Sequence, residues 1–143
     1  MKLTLPSDPF AVRAALEQVR LASVALEMSD VDVARAEIVL AEILNNVVEH
    51  ACCGRPDCRI DVVIDRVQTG LLVTVVDDGD AMPDGAPPAG KAAEIQCDLV
   101  RLPEGGFGWS LIRDLTRDVV YARSDGRNYL SFALDLNGMA TAQ

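Results

Sequence analysis

At 143 residues, half of them hydrophobic and 24% charged, the chain is long enough for one domain with a proper core and too apolar for disorder. A formal net charge of −9 and a pI near 4.4 argue against a direct nucleic-acid or anionic-membrane surface, because phosphates would be repelled. The start MKLTLPSDPF has no apolar signal core and no run approaches the roughly 18 apolar residues of a membrane span, so a cytoplasmic location is expected.

Lys2–Leu5 alternates and reads as a short edge strand before a turn at Pro6-Ser7. Ser7 or Asp8 can cap a helix running to about Met28, with Pro9 tolerated in its first turn and Val12, Leu16, Val19, Ala22, Val24 and Leu26 on its apolar side. Ser29 and Asp30 break and restart the chain. The second helix is Ala34–Ala51, ARAEIVLAEILNNVVEHA, with Leu40, Ile43, Leu44, Val47, Val48 and Ala51 on one side. At about 100° per residue, Glu42, Asn45, Asn46, Glu49 and His50 fall within an arc of about 140° on the other. Such a stripe faces either water or a ligand, and the helix alone leaves both open.

CCGRPD is a turn by composition. Cys52, Cys53, Cys58 and Cys97 are too few and too clustered for a secreted disulfide scaffold. With His50 the first three could complete a tetrahedral zinc set, but the spacing is not a paired C-x-x-C knuckle, so reduced thiols at a helix end are expected.

Arg59–Val67 alternates around Ile60, Val62 and Ile64 as a half-buried strand; Gln68–Gly70 turns, and Leu71–Val76 is a more continuously apolar strand ending in VVDDGDAMPDG. From Gly79 to Gly106 prolines and glycines accumulate and no period is sustained, which marks a disordered segment or a functional lid. GGFGWSLIRDLTRD then opens a third helix with Leu111, Ile112 and Leu115 as its buried side. Val119–Arg123 and Tyr129–Leu136 form a closing hairpin around Ser124–Asn128, where Asp125-Gly126 is a turn signal, and the tail Asn137–Gln143 looks frayed. This order predicts an α+β two-layer sandwich, with helices on one face of a mixed, mostly antiparallel sheet.

Three stretches could touch a phosphorylated ligand. GAPPAGKA, Gly85 to Ala92, nearly matches the P-loop, but Ala92 stands where a hydroxyl must bind magnesium and Pro87 and Pro88 remove backbone donors. It reads better as a lid whose Lys91 can reach phosphate. GGFG, Gly105–Gly108, precedes a helix, where glycines let the backbone approach an anion, although Gly-Gly before a helix is often only a turn. Asp77-Asp78-Gly79 leaves a buried strand, where an acid can accept from an adenine amino group or merely end the strand.

The order of these pieces carries a resemblance. Glu42-x-x-x-Asn46-x-x-x-His50, then Asp77-Asp78-Gly79, then Gly105–Gly108 ahead of a helix look like the N, G1 and G2 boxes of the Bergerat-fold (GHKL) ATPases. The run GGFGWSLIRDLTRDVVYARSDGRNYLSFAL resembles the C-terminal end of the anti-sigma serine/threonine kinase branch, and the likeness covers nearly the whole chain. The resemblance implies residues 1–143 as one histidine kinase-like ATPase domain with an ATP lid at about 79–106. It implies ATP and Mg²⁺ as cofactors, Asn46 as the metal ligand, and Glu42 as the base that takes the attacking serine's proton. Asp77 would accept the adenine amino proton, Gly79 would keep the backbone clear of the ring, and Lys91, Gly105, Gly106, Phe107 and Gly108 would approach the phosphates. His50 would be structural. Many relatives carry a glycine where Ala81 stands, and Asp80 adds an acid that could weaken nucleotide binding.

A histidine kinase needs a phospho-accepting histidine on a dimerisation helix, and His50, the chain's one histidine, is inside the N box. Gyrase-like and chaperone-like relatives need further domains to couple ATP to movement. The expectation is therefore a stand-alone protein kinase acting on a STAS-type anti-anti-sigma protein, with a sigma factor as second partner and a homodimer possible. The alternative is a non-catalytic ATP-binding module that sequesters a partner; retention of Glu42 argues against it, because binding alone needs no base.

Overall fold

The computed structural model describes residues 1–88 and 106–136. The chain runs β1 (Lys2–Pro6), α1 (Pro9–Leu21), α2 (Asp30–Asn46) prolonged by a π-turn at Val47–Ala51, β2 (Arg59–Val67) and β3 (Gly70–Asp77). A short 3₁₀ turn at Pro83–Gly85 is followed by α3 (Gly106–Leu115), β4 (Arg117–Ser124) and β5 (Arg127–Asp135). The strands form one five-stranded sheet in the order β1-β2-β3-β5-β4. Every pairing is antiparallel, so among the described residues the sheet has no parallel component of the kind a mixed sheet would show.

The period-2 alternation read from the sequence sets which face is buried. Ile60, Val62 and Ile64 of β2, Leu71, Val73 and Val75 of β3, and Leu130, Phe132 and Leu134 of β5 all point to the same side. Against them pack Val12, Ala15 and Val19 of α1, Val39, Leu40, Ile43 and Leu44 of α2, and Trp109 and Ile112 of α3. The result is two layers, with the helices on one face. The β4–β5 connection is a two-residue turn in which Asp125 and Gly126 both have positive φ (54° and 76°), the geometry that matches the twist of a hairpin.

Several boundaries, and the form of one helix end, differ from the sequence reading. The first helix stops at Leu21 and not near Met28: Ala22–Glu27 form turns, Glu27 takes a left-handed φ of 57°, and Val24 is exposed. The apolar residues there continued a helical pattern that the chain abandons in order to reverse. The second helix starts at Asp30, four residues before Ala34, because Ser29 and Asp32 form a reciprocal capping box. Its last turn is widened, with the Cys52 N–H donating to Val47 O at 2.8 Å, so His50 and Ala51 lag behind the plain 100° projection. β4 begins at Arg117, with a register irregularity between Arg117 and Val120.

The cysteines also require a correction. Cys52 and Cys58, expected as reduced thiols, are joined by a disulfide across a Cα–Cα distance of 5.7 Å. The turn between them, with Arg55 N on Cys52 O and Cys58 N on Arg55 O, folds the start of β2 back on the helix end. Cys53 is free and exposed, while Cys97 lies outside the described residues. The disulfide occupies two of the thiols that a zinc set with His50 would need. Among the described residues no helix is long and apolar enough to cross a membrane.

Candidate functional site

A cavity of about 590 Å³ opens where α2 and its π-turn, the end of β3, β5 and the first turn of α3 converge. That size is typical of small-molecule sites, which run from about 300 to 1,000 Å³. Its apolar wall comes from core positions: Ile43 of α2, Val75 of β3, Leu130 of β5 and Trp109 of α3. Its polar groups include Asn46, Asp77 and Asn128.

Asp77 ends β3 on the core side of the sheet and is only 5% exposed. Its Oδ1 accepts from the Gly79 N–H and from Asn128 Nδ2, each at 2.8 Å. Both bonds from described residues fall on that oxygen, which leaves Oδ2 for a ligand donor. Burial pushes the Asp77 carboxyl above the usual aspartate range, opposed by the Asn128 and Gly79 hydrogen bonds and by Arg123, and reinforced by neighbouring Asp78.

Gly79 follows at a point where the chain presses on the π-turn. A Cβ there would stand 2.5 Å from both the carbonyl carbon and oxygen of Ala51, and the next residue's N–H donates to Ala51 O at 2.7 Å. The space its missing side chain leaves is thus filled by the helix end. Arg55 reinforces this latch, donating to Ala51 O at 2.9 Å and pairing with Asp80 at 3.3 Å. The acid at Asp80 therefore reaches the rim of the cavity with a counter-charge beside it.

At the opposite end stands the stripe of α2. Asn46 lines the cavity, and its Nδ2 is buried with no hydrogen-bond partner among the described residues. Glu42 lies one turn earlier, beside the start of α3. A Cβ at Gly108 would fall 2.5 Å from Glu42 Oε1 and 3.9 Å from Asn46 Nδ2, so glycine there lets the Glu42 carboxylate lie against the start of α3, and a larger residue would push it aside. Asn45, Glu49 and His50 are exposed; His50 lies on the cavity rim, 3.6 Å from the Glu49 carboxylate.

These residues suit a magnesium nucleotide. The Asn46 carboxamide would give its oxygen to an ion that takes most of its ligands from water and phosphate, while its N–H, unused among the described residues, and the helix start at α3 suit the phosphate oxygens themselves. Asn46 and the start of α3 would hold the metal–phosphate end, with the Glu42 carboxylate beside them, and Asp77 would hold the adenine.

Of the stretch 79–106 expected as a lid, only 79–88 and Gly106 are described. Arg113 of α3 donates to Pro88 O at 3.0 Å and reaches Pro87 O at 3.5 Å, tying the outgoing chain to the helix that closes the cavity. Lys91 and Gly105 lie outside the described residues, as does the Phe107 side chain, while Gly106 is the first residue of α3. Asp77 and Asn46 are brought together around one cavity with Trp109 of α3, while Gly108 and Glu42 lie against each other just beyond its described lining.

Sequence reasoning missed Asn128, Tyr121 and Arg123. Asn128 sits opposite both Asp77 and Arg123 in the sheet, is 4% exposed, and links the two. The hairpin signal Asp125-Gly126 fixes the Arg123–Asn128 pairing, but no sequence signal fixes the register of β5 against β3.

The sequence model of one family, described as the histidine kinase-like ATPase domain, matches residues 5–134. No curated protein matches the chain. Among solved structures, the blue-light activated histidine kinase of Erythrobacter litoralis EL346 is similar, with a TM-score of 0.57 and 19% identity over 80% of this chain and 33% of that one. A histidine kinase domain from the same protein is similar with a TM-score of 0.54 and 17% identity, over 96% of this chain and 64% of that one. At such identities the likeness is one of fold, and this chain spans less than two thirds of either structure's length.

Proposed function

The chain belongs to the histidine kinase-like ATPase family, and from that premise we propose that it is an ATP-dependent serine/threonine-protein kinase of the anti-sigma type. Its substrate in this reading is a serine on a STAS-type anti-anti-sigma protein, with a sigma factor as the second partner. Asn46 carries the reading: a buried carboxamide N–H without a partner among the described residues, in a ligand-sized cavity and one helical turn after a carboxylate. An unmet buried donor costs about 1–3 kcal/mol, and a bound phosphate group would supply the acceptor.

In this scheme Asp77 Oδ2 accepts the adenine amino proton, and burial excludes water from that contact. Asn46 and the start of α3 hold the phosphate end. Bound Mg²⁺ would supply neutralisation of the charge that develops on the transferred group. Glu42 takes the proton of the serine hydroxyl as its oxygen bonds to the γ-phosphorus and the bond to the β–γ bridging oxygen breaks, so that ADP leaves. The net charge of −9 is compatible with protein partners, and a homodimer belongs to the same proposal.

The test has two stages. Magnesium ATP at 100 times its Kd should add about 2.7 kcal/mol of apparent stability in a thermal melt. No shift at millimolar nucleotide would reject ATP binding. Labelled ATP with a STAS-type protein from the same cell should then label a serine, and Glu42→Gln should keep the thermal shift while losing the label. ATP binding without transfer in the unaltered protein would favour a module that sequesters its partner.

A further inference from the structure

We propose that Asn128 is a positioning residue which, with Tyr121 and Arg123, fixes both the Asp77 carboxylate and the backbone that leaves β3 at Gly79–Met82, so that one carboxamide sets the recognising acid and the chain beside it together. The proposal rests on Asp77 being the acid that recognises the nucleotide.

Asn128 has two amide donors and an oxygen with two lone pairs, and all four are used inside the protein. Nδ2 donates to Asp77 Oδ1 and to Asp80 O, both at 2.8 Å. Oδ1 accepts from Arg123 at 2.9 Å and from the Tyr121 hydroxyl. The opposite amide orientation would set an oxygen against a carboxylate and a carbonyl, and N–H groups against a guanidinium, so the network fixes which way the side chain points. With nothing left to offer a ligand, Asn128 acts through what it holds.

It holds two things. One is Asp77, which lines the cavity and whose Oδ1 is taken by Asn128 and the Gly79 N–H, so that Oδ2 is the oxygen left for a ligand. The other is the chain that leaves β3. Arg123 donates to Gly79 O at 2.9 Å, Asn128 to Asp80 O, and the Met82 N–H donates to the Tyr121 hydroxyl at 3.0 Å. Three backbone groups between Gly79 and Met82 are therefore bound by three side chains of one hairpin. Tyr121 and Arg123 lie two apart on β4 and share a face, and Asn128 is directly opposite Arg123, so the tight Asp125-Gly126 turn sets the spacing of the whole clamp.

The charged groups around Asp77 are Asp78 beside it on the chain, Arg123 from β4, Asp80 with Arg55 at the lid root, and His50 with Glu49 on the rim from the end of α2. Removing the Asn128 donor withdraws a hydrogen bond from the ionised carboxylate and leaves burial less opposed. Asp77 then protonates at a higher pH.

The experiment is a titration with magnesium ATP from pH 8 downward, read by fluorescence of Trp109, the chain's one tryptophan, which lines the cavity. Asn128→Ala should weaken binding about tenfold, the factor expected for one hydrogen bond to a charged group, and raise the pH at which binding is half lost by about one unit. Contributions from His50 and from the nucleotide's own phosphates appear in both proteins and cancel in the difference. Carbon-13 NMR of the Asp77 carboxyl should show the same rise without nucleotide. An Asn128→Ala protein that folds and keeps the parent's affinity and midpoint overturns the proposal. If that variant does not fold, Arg123→Met, at an exposed position, should still raise the midpoint, and no rise there is equally fatal. A parent protein whose Asp77 responds by NMR but which ignores ATP overturns the nucleotide reading and, with it, the purpose assigned to Asn128.

Discussion

At one end of the cavity Asp77, Asn128, Tyr121 and Arg123 satisfy one another and the chain around them; at the other, Asn46 buries an N–H that no described residue accepts. At the first end Asp77 Oδ1 and every donor and acceptor of Asn128 are engaged before a ligand arrives, and Asp77 Oδ2 is left over. The second is held in place by packing alone, on a helix whose apolar side is locked into the core, and it carries an unmet donor worth about 1–3 kcal/mol. The difference teaches where rigidity is needed. A flat base can be recognised by a preset acid, whereas a phosphate and its metal bring their own partners, and a site saturated beforehand would have to break bonds to receive them.

Two glycines break this comparison most sharply. Gly79→Val places a side chain where the Ala51 backbone already stands, and neither backbone can yield, so a loss of about 3 kcal/mol in denaturant unfolding is expected. Gly108→Ala meets only the far end of the flexible Glu42 side chain. It should cost less than about 1 kcal/mol in folding, a helix-interior alanine offsetting some of the contact, yet displace Glu42 and abolish labelling of the partner. Equal stability losses in the two variants would mean that the ends are not built differently.

Much of the frame was legible because it depends on local pattern. The alternation of β2 and β3 and the Asp125-Gly126 turn needed no knowledge of distant residues. Asn46 and Asp77, which line one cavity, and Gly108, which lies against Glu42 beside it, come from motifs at the ends of their elements. What escaped notice depends on pairing across the sheet. Asn128 lies 51 residues from Asp77 and sits in SDGRN, where an asparagine reads as a turn former. The contact of Gly79 with Ala51 depends on a π-turn that a uniform helical projection does not contain. Val24 and Leu26 extended an apolar pattern past Leu21, although Val24 faces water and Leu26 returns to the core through a turn. The clustered cysteines showed that thiols gather at the helix end, but only the backbone path of the 52–58 turn shows which two meet.

Asn46→Leu sharpens the comparison from the unsatisfied side. Replacing a buried unpaired amide by a similar apolar volume should leave the ligand-free protein unchanged or more stable by about 1 kcal/mol, because the orphaned donor is gone. The same variant should lose the stabilisation by magnesium ATP. A clear drop in ligand-free stability would show that the Asn46 amide is satisfied in solution and that the contrast between the ends is false.

The smallest effect tests the satisfied end through its charge. Burial raises the Asp77 carboxyl above its ordinary range, so the folded protein holds this proton at a pH where the unfolded chain has released it. Where the folded state binds more protons, stability falls as pH rises. The Asp77 contribution is therefore fully present below the unfolded aspartate value and declines as pH climbs through the folded one. Asp135 runs the other way: the Arg117 hydrogen bond lowers its carboxyl, so its contribution is present above the ordinary range and is lost as pH falls through the lowered value. Asp135 is exposed, and solvent screening leaves its slope shallow. Urea unfolding between pH 3 and pH 7 should thus show an Asp77→Asn protein whose stability rises more steeply with pH than the parent's, by an amount that 1 M salt barely changes because the group is buried. Parallel curves would mean that Asn128 and Gly79 hold the carboxylate well enough to cancel the cost of burying it.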